Sequence, residues 1–139
     1  MFAKLFSRNP STGSSAITAR QAMAAVMVRI AKSDDDYAVA ECERIDAVLS
    51  VLYDLSKAEA TSLRLQAEVL EADAPDTVRF TRAIKNAVPY DDRFDVVRAL
   101  WQVVLADGAR DHEEDALMRL LASLLGVNDR DSAIARQQA

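Results

Sequence analysis

A short acidic segment occurs twice in this chain, each time between two stretches with the apolar spacing of helices. The first copy runs from Asp34 to Glu41 and the second from Asp107 to Glu114, so the aspartate and the glutamate stand seven residues apart in both. Apolar residues then recur at matching positions behind each glutamate. Because such a unit cannot bury its apolar face alone, the duplication predicts two halves that pack against each other.

The rest of the chain also favours helices. Three glycines and three prolines leave little turn chemistry for hairpins, and apolar residues recur at intervals of three and four. Capping boxes are predicted at Ser56–Glu59 and Asp111–Glu114, and Asn128–Asp131 is expected to cap the last helix, because side-chain oxygens can accept the unpaired N–H groups of a helix start. Ala74-Pro75-Asp76 is expected to start the fourth helix, since proline is tolerated in a first turn. The predicted fold is all-α, with about seven helices forming two pseudo-twofold-related helix–acidic loop–helix repeats in one compact bundle.

The domain organisation and the core follow from the same spacing. Residues 1–15 are predicted to be a flexible tail and linker, and residues 16–139 a single helical domain. The core should contain the residues on the apolar stripes of the helices, which include Ile45, Leu52, Leu100, Trp101, Val104 and Leu121.

Charge and cysteine content limit the partners. The chain has 17 basic and 22 acidic residues, a net charge of −5, which argues against a nucleic-acid partner and leaves a protein as the expected one. A single cysteine excludes an internal disulfide, and no apolar run is long enough for a membrane span or a secretory signal. We therefore expect a cytoplasmic protein.

The first residues have an amphipathic pattern of their own. Phe2, Leu5 and Phe6 fall on one side of a short helix that also carries Lys4 and Arg8. Such a segment could be a weak peripheral anchor at the inner membrane. The alternative is a frayed tail that packs on the domain or on a neighbour.

The acidic segments supply the candidate site. Carboxylates from a loop and the next helical turn can offer hard oxygen ligands to Ca²⁺ or Mg²⁺. The predicted ligands are Asp34, Glu41, Asp107, Asp111 and Glu114, with Asp36 nearby. Two alternatives stay open, namely helix capping by solvated acids and a charged surface for a partner. The second copy is the better metal candidate, because Gly108 permits a tight turn.

Other ionisable residues give weaker indications. Arg79, Arg82 and Lys85 share one helix face. They form a solvated face, a contact for an acidic loop of the same molecule, or a contact for an anionic partner. His112 is the single histidine, which is too few for the usual zinc site, and Cys42 is expected to be inert. The sequence contains no recognisable phosphate loop or catalytic triad, so we expect no enzyme.

A family resemblance appears in the acidic segments and their flanks. The sequence Ala-Lys-Ser-Asp34, its counterpart Leu-Ala-Asp107-Gly108 and the acid-capped helices that follow resemble the TerB-like family, named for tellurite-resistance protein B. The stretch from Ala72 to Thr81, together with Trp101 to Glu114, resembles its uncharacterised bacterial branch. The resemblance spans about residues 22–135.

The resemblance implies both a fold and a cellular context. It implies about seven helices with internal pseudo-twofold symmetry, a link to tellurite and stress resistance, and a relation to domains of membrane co-chaperones. The suspected metal-binding acids of the family match Asp34, Glu41, Asp107 and Glu114. The first copy departs from the pattern, because Asp35 replaces the usual glycine. The predicted function is a non-catalytic interaction domain that binds a divalent cation. The alternatives are a metal-dependent enzyme acting on an anionic substrate and a membrane-surface adaptor.

Overall fold

A computed structural model describes residues 17–33, 37–105 and 112–139, with the side chains of 112–114 excepted. Within these ranges the chain forms seven α-helices and a short 3₁₀ helix at Tyr90–Asp92, and contains no strand. The helices are α1 (Ala19–Lys32), α2 (Val39–Tyr53), α3 (Lys57–Asp73), α4 (Val78–Ala87), α5 (Arg93–Val104), α6 (His112–Leu124) and α7 (Asp129–Gln138). The predicted all-α fold with about seven helices is therefore confirmed.

Helix α1 lies at the centre of the bundle. Every residue from Ala22 to Val28 is buried, so this helix is apolar around its whole circumference rather than along one stripe. It packs against α2, α3, α4, α5 and α6. Five alanines in its sequence let these neighbours approach closely while the two methionines fill the spaces between them.

The predicted core is confirmed. Ile45, Leu52, Leu100, Trp101, Val104 and Leu121 are all buried, and all belong to one continuous apolar cluster. The indole N–H of Trp101 has a hydrogen-bond partner inside this cluster, because it donates to the Ser132 hydroxyl at 3.1 Å. None of the described helices combines the length and the hydropathy of a membrane span.

Two of the predicted caps are also confirmed and one helix start is shifted, while the predicted capping box at Asp111–Glu114 lies outside the described side chains. The Ser56 hydroxyl accepts the Glu59 N–H at 3.1 Å, and the Glu59 carboxylate accepts the Ser56 N–H at 2.8 Å. Asn128 caps α7 in the same sense, by accepting the Asp131 N–H. Helix α4, expected to begin near Pro75, begins at Val78, because the Asp76 carboxylate accepts the Val78 N–H and forms a turn first.

Evidence for the duplication appears where the second helix of each half joins the third. Asp54 and Gly126 both have left-handed backbones, with φ of 56° and 80°, two residues before the caps of α3 and α7. In both junctions the next N–H reaches back five residues, Leu55 to the Ser50 carbonyl and Val127 to the Ala122 carbonyl. These are matching Schellman-type helix ends. Superposition of residues 26–52 on 99–125 stays a prediction, as does the domain boundary near residue 16.

Candidate functional site

The predicted ligands fall mostly outside the part of the chain that the structure describes. Asp34, Asp36, Asp107 and Asp111 lie beyond the described residues, and Glu114 lies in α6 with an undescribed side chain. Glu41 is therefore the one predicted ligand whose surroundings are visible. The side chains that flank the first acidic segment are visible as well, and they show how that segment is held.

Glu41 is a helix-capping residue. It occupies the third position of α2, is 5% exposed, and accepts the Ala38 N–H at 3.0 Å through its carboxylate. Ala38 has no side-chain oxygen to cap the helix itself, so the glutamate supplies the cap. Because α6 begins at His112, Glu114 occupies the same third position of its helix. In this position a glutamate can reach back toward the helix start, where its charge also complements the helix dipole.

On the amino-terminal side, the acidic segment is attached to α3 by a buried ion pair. Glu71 of α3 is 6% exposed. Its carboxylate accepts the Arg29 Nε–H at 2.6 Å and the Lys32 Nζ–H at 2.7 Å. Arg29 also donates to the Ala74 carbonyl at 2.8 Å. Burial opposes the ionisation of Glu71, but the hydrogen bonds and charges of Lys32 and Arg29 outweigh it and hold the pKa of this carboxyl below its ordinary value.

On the carboxyl-terminal side, the segment is attached to α3 by Tyr37. The Tyr37 hydroxyl donates to the Glu68 carboxylate at 2.7 Å. Burial, followed by this hydrogen bond and the neighbouring Cys42 thiol, raises the pKa of Tyr37 well above its ordinary value. The hydroxyl therefore stays protonated and remains a donor at physiological pH.

Glu68 is itself fixed by a polar network between α2 and α3. Arg64 donates to Glu68 at 2.7 Å and to Asp46 at 2.7 Å. The second Asp46 oxygen accepts the Thr61 hydroxyl at 2.8 Å. Because Arg64 and Asp46 are both largely buried, these charge-assisted bonds are stronger than ordinary surface pairs.

The two attachments together form a frame around the first acidic segment. Glu68 and Glu71 stand three residues apart on one face of α3, and they bind Tyr37 and Lys32, which lie on either side of the three aspartates at 34–36. We call Glu68 and Glu71 the α3 anchor. The chain between Lys32 and Tyr37 is thereby held at both ends by the same rigid element.

The second repeat has different flanks. Gln102 and Leu105 stand where the first repeat has Arg29 and Lys32, so the two cations of the ion pair are absent from those positions. Described polar contacts in this half include the hydrogen bond of Trp101 with Ser132, and the Arg136 guanidinium lies 5.2 Å from the Trp101 ring centre. The acidic segment is duplicated in the sequence, whereas the two cations that precede its first copy are not.

The three basic candidates of α4 lie on the protein surface. Arg79, Arg82 and Lys85 are exposed on α4, whose buried side carries Phe80 and Ile84. Their position relative to the acidic segments lies outside the described residues.

Two single residues, His112 and Cys42, are weaker candidates. His112 begins α6, and its side chain is not described. Cys42 is a half-buried free thiol on α2. Among the described residues, no three His, Cys, Asp or Glu side chains come together in a group suited to a metal ion. The metal prediction therefore depends on acids that the structure does not describe.

Sequence reasoning missed the α3 anchor. Arg64 and Glu68 are visible in the sequence as an i,i+4 pair, and Arg29 and Lys32 as cations in the last turn of a helix. Glu71, which binds Arg29 and Lys32, lies about 40 residues away from them, so no local spacing in the sequence indicates this ion pair.

Comparison with known families agrees with this fold. The family model for tellurite resistance protein TerB matches residues 20–137, which is most of the chain and all seven described helices apart from their outermost residues. The chain belongs to the TerB family. No significant match was found among curated proteins or among solved structures. The resemblance predicted from the acidic segments is thus confirmed, and membership of TerB places the chain in a tellurite-resistance-related family.

Proposed function

We propose that this TerB domain is a non-catalytic, cytoplasmic interaction module of the bacterial tellurite and stress response, and that its acidic segments bind a divalent cation. The observation that carries the cation proposal is the position of Glu41 and Glu114 at the third residue of their helices. From this position a carboxylate can reach back toward the acidic segment before the helix. Together with the preceding aspartates, each segment can offer oxygen ligands of the kind that Ca²⁺ and Mg²⁺ prefer.

The frame around the first segment supports the same proposal. Acids that crowd together repel one another unless a cation neutralises them, so the chain that carries them must be held in place. Glu71 and Glu68 hold the two sides of that segment on α3. The visible buried carboxylates have structural roles, since Glu41 caps a helix and Glu71 forms an ion pair. This use supports a binding module rather than a catalyst.

A protein is the partner that we propose. The net charge of −5 disfavours nucleic acid, and α2 carries two strongly exposed apolar side chains, Val39 and Val51. Val39 begins α2 two residues before Glu41, so a cation and a partner could be bound side by side. A pull-down from the native host, with and without chelator, tests whether partner binding depends on the cation.

Thermal unfolding with added Ca²⁺ or Mg²⁺ tests the cation directly. At an ion concentration of about one hundred times the dissociation constant, linkage stabilises the fold by about 2.7 kcal/mol. For a domain of this size that corresponds to a rise in Tm of roughly 5–10 °C. The rise should largely disappear in the double variant Asp107→Asn with Glu114→Gln, and should survive Asp34→Asn better, because the second copy has Gly108 in its turn.

The control is NaCl at equal ionic strength, which screens repulsion between carboxylates without binding specifically. If NaCl produces the same rise, or if the double variant retains it, the acidic segments are capped and solvated turns and the cation proposal is wrong. The assignment to the TerB family does not depend on this result.

A further inference from the structure

Helix α3 has an apolar stripe on its solvent side. Its inner face is buried through Ala60, Leu63 and Ala67. On the outer face, Leu65 is 50% exposed and Val69 is 66% exposed. Five exposed residues follow one another along this face at alternating spacings of four and three. We call them the α3 seam, and they are Ala58, Ser62, Leu65, Val69 and Ala72. This alternation of three and four is the spacing with which one helix receives another.

A groove lies at the start of the seam, beside the place where the chain enters the domain. Its volume is about 410 Å³, and its lining includes Leu55, Ala58 and Leu63, with Arg20 on the α1 side. The first turn of α1 is fixed to the same part of α3, because Gln21 donates to the Gln66 side chain at 3.3 Å. The described chain therefore begins, at Ile17, four residues before a contact beside this groove.

The seam is bordered by acids. Glu59 and Asp73 are exposed next to its two ends, and neither forms an ion pair with a described residue. Pairing of two copies through this seam, antiparallel and centred near Gln66, would place Glu59 of one copy opposite Asp73 of the other. This like-charge arrangement disfavours a second copy as the occupant and favours a segment with apolar and basic side chains.

We propose that residues 2–8 of this same chain dock on the α3 seam. The segment reads Phe-Ala-Lys-Leu-Phe-Ser-Arg. It therefore has three large apolar side chains and two cations, and it contains no acidic residue. The aromatic side chains would occupy the groove and the adjoining seam, and the cations would lie beside the acidic border. The proposal is independent of cation binding by the acidic segments.

The connection is long enough. Eight residues separate Arg8 from Ile17, and a Ser- and Gly-containing linker of that length has a typical end-to-end distance of about 14–17 Å. The seam from Ala58 to Ala72 is about 21 Å long at 1.5 Å per residue. Tethering through such a linker gives an effective concentration in the millimolar range. Docking then needs only a modest intrinsic affinity, with a Kd below about 1 mM for the isolated segment.

Paramagnetic relaxation enhancement on the full chain tests the proposal. A nitroxide is attached at Ser7→Cys in a Cys42→Ser background, and amide signals of the ¹⁵N-labelled chain are compared before and after reduction of the label. We expect signal loss concentrated at residues 58–73. The variant Leu65→Ser with Val69→Ser should abolish it. Leu120→Ser is the matched control, since Leu120 is 52% exposed on α6, and it should leave the effect intact.

A mixed sample distinguishes docking within one chain from docking by a second copy. In this sample the nitroxide is carried by a chain without ¹⁵N, and the ¹⁵N label by a chain without nitroxide. Signal loss in the mixed sample as strong as in the single chain would overturn the proposal in favour of a second copy. A folded spectrum without signal loss at α3 would overturn it in favour of a separate partner for the seam. Signal loss that survives the double serine variant would show that the segment docks elsewhere.

Discussion

Replacing Glu71 by glutamine removes the charge at the centre of the ion pair while retaining the size of the side chain. A hydrogen bond to a charged group contributes about 1.5–3 kcal/mol when it is well buried. The bond from Arg29, whose side chain is 23% exposed, should be near this range. The Lys32 side chain is 41% exposed, so its bond falls in the surface range of at most about 1 kcal/mol. Glutamine can still accept one bond from Arg29, so we expect Glu71→Gln to cost about 2 kcal/mol.

The pH dependence gives a sharper test of this reasoning. Because the folded-state pKa of Glu71 is lowered, its stabilisation is present above the unfolded-state pKa and is lost as the pH falls through the folded-state value. The difference in unfolding free energy between the wild-type chain and Glu71→Gln should therefore be constant at neutral pH and should shrink below about pH 4.3, the usual value for glutamic acid.

Urea unfolding at a series of pH values measures both quantities, with Asp73→Asn as the control. Asp73 ends α3, is exposed and forms no ion pair with a described residue, so its replacement should change stability by less than about 0.5 kcal/mol. If Glu71→Gln costs no more than this control, or if its cost does not change on acidification, the ion pair does not stabilise the fold as argued here.

Three further outcomes are expected. Leu121→Ala should cost about 2–5 kcal/mol in denaturant melts, because Leu121 is fully buried; a loss below about 1 kcal/mol would contradict its place in the core. Gly126→Ala should cost about 1 kcal/mol because of its left-handed backbone alone, since the added Cβ would meet other atoms only at ordinary contact distance. Asp54→Gly should not destabilise the fold, and equal losses in the two variants would refute the backbone argument. Sedimentation with vesicles should show weak binding at most, requiring anionic lipid and lost in Phe2→Ala with Phe6→Ala; firm binding to neutral vesicles would contradict this expectation.

The helices and the core could be predicted from the sequence because their signals are local. Trp101 and Leu121 lie on apolar stripes with a period of 3.6 residues, and Ser56 with Glu59 has the spacing of a capping box. Helix α4 begins about three residues later than the sequence predicts, because Pro75 is compatible with a first turn but the Asp76 side chain forms a separate turn before the helix.

The surroundings of the candidate site could not be predicted in the same way. Glu71 lies on the third helix, and nothing in its neighbouring sequence distinguishes it from the exposed acids of that helix. Its burial follows from the crossing of α1 and α3, which brings Arg29 and Lys32 to it. Such a pair depends on tertiary packing, so it becomes visible only after the helices are assembled.

The two halves share helix ends and caps but differ in their described side-chain contacts. Arg64 and Arg136 occupy equivalent positions, each eight residues after the cap of its helix. Arg64 turns toward Asp46 and Glu68 and supports the α3 anchor, whereas Arg136 lies over Trp101. The packing of helix ends and caps is shared by the two halves, but the charged contacts beside the first acidic segment have no equivalent in Gln102 and Leu105 of the second. The two acidic segments should accordingly differ in cation affinity, and Glu71→Gln should weaken any binding at the first segment while leaving the second unchanged.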